Sequence, residues 1–134
     1  MPKRTCDHAS AGQPPTGAPR LNRFVVPGVL LLLAEEEAHG YDLGASLAAF
    51  GFIENESDTA LVYRALGTLS AEGYVTARET PGEGGPPRKV YSLTPSGFEL
   101  LEEWRCVIEE RVAVLSRFLA RYSNLQTERE GAER

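Results

Sequence analysis

Cysteine is scarce in this 134-residue chain. Cys6 and Cys106 stand a hundred positions apart, which cannot frame a disulfide scaffold, and the chain reads as cytoplasmic. The only imidazoles are His8 and His39. No two candidate ligands fall at zinc spacing, so Cys6-Asp7-His8 is incidental and neither metal nor other cofactor is expected. The apolar run 24–34 counts eleven residues, well short of the ~20 that span a bilayer. It follows a polar, proline-rich stretch, which suits a buried helix better than a signal peptide, and no membrane partner is expected. A positive surplus is missing too. The net charge of −5 argues against coating nucleic acid or anionic lipid indiscriminately, while leaving room for a local basic patch. No Ser, Cys or Asp stands beside a His in a nucleophile motif, so an enzyme is not expected.

What is present fits one small domain with an appendage. A 14.6 kDa chain, 42% hydrophobic and 25% charged, can bury one core. Charge is placed unevenly: residues 1–23 carry +3, residues 24–57 carry −6 with no Lys or Arg, and residues 58–93 balance. Residues 1–22, with Pro2, Pro14, Pro15 and Pro19 and no hydrophobic period, read as a disordered arm. A first helix is expected from near Pro27 to Glu37, ending by Gly40, and a second over 41–50, stopping at Gly51. A third runs from a cap at Ser57 or Asp58 to Gly73, with Val62, Leu66 and Leu69 as its buried stripe. Residues 74–80 and 89–93 alternate as half-buried strands, joined across 81–87 as a hairpin. Thr94 then caps a long helix with Pro95 in its first turn.

Three helices followed by a hairpin is the order of a winged helix-turn-helix, in which the third helix reads nucleic acid and the hairpin is the wing. The loop contains no G-x-x-x-x-G-K-[ST] or G-x-G-x-x-G and feeds a strand, which disfavours a nucleotide-phosphate cradle. Arg88 and Lys89 at its end suit phosphate contacts, and Arg78 lies on the partner strand. Opposite the buried stripe, near the N-terminal end of helix three, stand Thr59, Tyr63 and Arg64. Arginine there suits bidentate contact with guanine.

Three blocks carry a family resemblance: Ala38-His39-Gly40-Tyr41-Asp42-Leu43; Val62-Tyr63-Arg64-Ala65-Leu66 with Leu69, Glu72-Gly73-Tyr74-Val75; and Pro87-Arg88-Lys89-Val90-Tyr91-Ser92-Leu93-Thr94-Pro95-Ser96-Gly97. In this order and spacing the chain resembles the PadR family of bacterial transcriptional regulators, over roughly residues 24–122. The resemblance implies a homodimeric winged-helix protein that binds double-stranded DNA, usually a repressor, sometimes released by a small-molecule effector near the dimer interface. A single C-terminal helix is similar to the shorter subgroup. Gly67 and Thr68 depart from it, standing where members often place basic or long polar residues. His39 is expected at the dipole of helix one, and Tyr41 on the core.

The expected fold is therefore mainly α with a small β-hairpin: a winged helix over 23–93, a dimerisation helix over 94–123 and a disordered tail over 124–134. On the long helix Leu101, Trp104, Ile108, Leu115, Phe118 and Tyr122 recur at helical spacing. A helix over 95–122, about 42 Å long, outruns what so small a core can cover. The uncovered face calls for a second copy, and these six residues are the expected dimer interface. Arg111 interrupts the stripe, which argues against a long continuous coiled coil. A rival reading is a winged-helix dimer that binds a protein through its acidic surface and has weak or no DNA affinity.

Overall fold

In the computed structural model, residues 24–53, 58–82 and 84–132 are described. The N-terminal arm and Ser57 lie outside them. The elements are α1 (Val25–Glu35), β1 (Ala38–His39), α2 (Gly40–Phe50), α3 (Thr59–Ala71), β2 (Val75–Gly82), β3 (Gly85–Leu93) and α4 (Pro95–Ala132). Pro27 sits in the first turn of α1, where its missing N–H leaves no intrahelical bond unmade. α2 stops where its sequence says it should. Gly51 takes φ +102°, and the N–H groups of Gly51 and Phe52 both donate to the Leu47 carbonyl, at 3.0 and 3.1 Å.

One core gathers the apolar faces of the three helices: Val29, Leu30 and Leu33 from α1, Leu43 and Leu47 from α2, and Val62, Ala65, Leu66 and Leu69 from α3, with Val75 at the root of the hairpin. The α3 stripe is the one its spacing predicts. Burying each such Leu or Val contributes about 1.5–3 kcal/mol.

The hairpin gains a strand that the sequence hides. The sheet is three-stranded, in the order β1-β3-β2, and β1 pairs antiparallel with β3 through Ala38↔Tyr91 and His39↔Val90. α1 therefore ends at Glu35, earlier than expected, and Glu36 turns extended. Two residues have no period to read, so this strand exists only because β3 offers it an edge. β2 and β3 also run farther than expected, to Gly82 and Gly85, through most of the anticipated loop. Pro86 and Pro87 are tolerated in β3 because β1 reaches only Val90 and Tyr91, leaving that end of the strand with one open edge.

Thr94 welds the root of the hairpin to α4. Its Oγ1 accepts from the Gly97 N–H (3.1 Å) while its hydroxyl donates to the Gly73 carbonyl (2.8 Å), and its own N–H donates to the Tyr74 carbonyl (3.1 Å). α4 then runs 38 residues, about 57 Å, to Ala132. The residues from 124 on, expected as a disordered tail, thus continue as helix to that point. Leu100, Leu101 and Trp104 pack on the core, and the Trp104 ring meets Phe24 edge-on at 6.3 Å. Arg105 bridges Glu102 and Glu109 along the helix, and its hydrogen bond holds the Glu102 carboxyl below the usual carboxylate range. From Glu109 to Ala132 every residue is exposed. No helix among the described residues is long and apolar enough to cross a membrane.

Candidate nucleic-acid interface

α3 lies on the core by its Val62–Leu69 stripe, which turns Tyr63, Arg64, Gly67 and Thr68 outward. Tyr63 is 47% exposed, and Arg64 is exposed beside it. Thr59, in the first turn, is half-buried. The Tyr63 ring leans over the start of α2, where a Cβ on Gly40 would stand 2.6 Å from Tyr63 Cε1. A side chain at position 40 would make the exposed Tyr63 ring shift, so the Gly40 block and α3 meet closely here.

The wing stands across from this helix. A groove of about 770 Å³ opens between them, lined by His39, Tyr41 and Asp42 of the β1–α2 junction, Tyr63 of α3, and Pro87, Arg88, Lys89 and Tyr91 of β3. Of the five residues that the sequence assigns to DNA, the groove brings together Tyr63, Arg88 and Lys89. Arg64 and Thr59 sit on α3 outside its lining. Arg64, Arg88 and Lys89 have no carboxylate partner among the described residues, whereas Arg78 is bound to Glu37. Two of these cations, Arg88 and Lys89, line the groove.

Two expectations about the Gly40 block need correction. His39 does not serve the end of α1; it lies in β1, and its Nδ1–H donates to the Lys89 carbonyl at 3.1 Å. Tyr41 does not pack on the core but is 65% exposed at the mouth of the groove. Both errors have one origin. With β1 unseen, the Gly40 block reads as a helix end, when it is the strand that brings α2 against the wing. Tyr41, Asp42 and Tyr91 were missed as groove residues, and no local signal marks them, because only the β1–β3 pairing makes them neighbours.

The six residues expected at a dimer interface divide. Leu101 and Trp104 pack on the core of their own chain, and Ile108 is half-buried. Leu115, Phe118 and Tyr122 are exposed and touch no core, with Leu115 63% and Phe118 66% exposed.

Comparison with known proteins bears on this arrangement. Residues 29–103 match the model of the transcriptional regulator PadR-like family. Among solved structures, a PadR-like transcriptional regulator from Bacillus cereus is 26% identical with a TM-score of 0.61, over 74% of this chain and 94% of that one. A PadR family regulator from Eggerthella lenta is 27% identical with a TM-score of 0.59, over 74% and 85%. Bacillus subtilis PadR, crystallised with operator DNA, is 30% identical with a TM-score of 0.54, over 61% of this chain and 46% of that one. The comparison with curated proteins finds no match.

Proposed function

The chain belongs to the transcriptional regulator PadR-like family, and from that membership and the groove we propose a cytoplasmic, homodimeric repressor that binds an inverted-repeat operator. The supporting observation is the meeting of Tyr63 on α3 with Arg88 and Lys89 on the wing, with the exposed Arg64 next to Tyr63 on α3. A wing cation contacts phosphate and fixes register; a reading-helix arginine contacts a base edge. Thr59, Tyr63 and Arg64 enter or flank the major groove, and Arg88 and Lys89 hold the backbone beside it. Two copies joined through Leu115, Phe118 and Tyr122 present two such surfaces. The operator half-sites are then spaced by about one helical turn, ~34–36 Å, or a multiple. With so few cations on α3, the salt dependence of binding is shallow for a DNA-binding dimer.

Selection from random DNA by the purified protein tests this reading. The expected product is an inverted repeat, and Arg64→Ala relaxes preference at one position per half-site at a cost of roughly 1–3 kcal/mol. Weakening of all sequences alike by Arg64→Ala would make Arg64 a phosphate anchor. A selection that returns no palindrome, with no salt-dependent shift of any DNA, replaces the regulator by the protein-binding module.

A further inference from the structure

β2 is the outer strand of the wing, and among the described strands it pairs with β3 alone. Val75 anchors its root in the core, and farther along the strand a side chain from the helical body also reaches it. Glu37, in the α1–α2 connector just before β1, accepts from Arg78 of β2 through Oε1 and from the Ser92 hydroxyl of β3 through Oε2, at 3.3 Å for the latter. A single carboxylate, one residue before β1, thus holds both β2 and β3. Arg78 pairs with Val90, and Lys89 and Arg88 follow directly toward the tip. The grip therefore lies at the base of the lever that carries the two wing cations. We infer that Glu37 is a positioning residue for DNA binding, fixing the pitch of the wing against α3 through Arg78 and Ser92. The inference rests on the proposed function, since it needs the wing to touch DNA.

Charge effects and clamp effects have opposite signatures. If Glu37 and Arg78 acted only as charges near DNA, removing the acid would strengthen binding and removing the cation would weaken it. If they act as a clamp, both removals loosen the wing and both weaken binding. The experiment measures affinity for the selected operator at near-physiological salt, where exposed charges farther than ~8 Å are screened. It compares the full chain with Glu37→Ala, Arg78→Ala, the double variant, and each in an Arg88→Ala/Lys89→Ala background. Thermal melting is followed throughout.

Both single variants are expected to weaken binding about three- to fivefold on all sequences, and the double variant by no more than either single. In the wing-cation background the Glu37→Ala loss should disappear, because there is then nothing for the clamp to aim. A loss that follows melting temperature and adds fully to the wing-cation loss overturns the inference as mere destabilisation. Tighter binding by Glu37→Ala overturns it as simple electrostatics. Wild-type protein that shifts no DNA overturns the proposed function itself, and is thereby distinguishable from failure of the clamp alone.

Discussion

The first turns of α4 and the rest of the helix share one apolar rhythm but not one environment. Leu101 and Trp104 are covered by the core of their own domain, while Leu115, Phe118 and Tyr122, in step on the same helix, face solvent. A repeat at helical spacing says that a face needs covering; it does not say by what. For the proximal turns the cover is intramolecular, because Thr94 pins the helix start to the hairpin root and lays it against α1. For the distal turns nothing among the described residues reaches far enough. The domain ends, and the helix runs on for more than twenty residues without a buried side chain. That difference makes the proximal residues determinants of folding and the distal ones candidates for association.

The sharpest break of this contrast is Trp104→Ala. It should destabilise the fold by roughly 2–3 kcal/mol, below the full range for a buried aromatic because Trp104 is only half-buried. Chemical denaturation should show this, with the same value at every protein concentration if the cover is intramolecular. A cost that grows on dilution would instead place Trp104 between protomers.

Leu115→Asp tests the other half. It should convert a species of twice 14.6 kDa into monomer in sedimentation at micromolar concentration, weakening association by at least about tenfold, ~1.4 kcal/mol. The circular dichroism of the winged domain should persist. A wild-type chain already monomeric there would remove the inverted-repeat argument along with the dimer.

A third surface sharpens the comparison, because exposure without an apolar face asks for no protein partner. The outward side of α3 is bare, and a Cβ on Gly67 would meet nothing within 4 Å. Gly67→Ala should therefore raise stability by up to ~1 kcal/mol without changing oligomeric state. No gain in thermal melting would mean that the helix bends at that residue.

The smallest effect lies where the covered and bare parts of α4 meet. Glu102, held below its ordinary range by Arg105, contributes stability at neutral pH that is lost as pH falls through that lowered value. Glu102→Gln should melt slightly below wild type at pH 7, and the two curves should converge in acid, once the pH falls below the lowered Glu102 value. A difference that persists there would assign the effect to packing.

The α3 stripe, the Gly51 stop, the Thr94 cap and the wing cations were all legible along the chain, because each rests on contacts within a few residues or on one helical face. Arg88 and Lys89 could be named from the end of a Gly- and Pro-rich hairpin, and Tyr63 from its place opposite a buried row. Tyr41 and Asp42 could not, since a two-residue strand carries no period. Glu37 looked like one more acid in a run of three.

By itself, the sequence determined three amphipathic helices, a hairpin and a long apolar-striped helix, since period and capping are local properties of the backbone. The tertiary structure alone decided that residues 38–39 become a strand, that Glu37 reaches across it to Arg78, and that one apolar row on α4 is divided between a domain's core and open solvent. Those outcomes depend on what lies opposite in space, up to some fifty residues away in the chain.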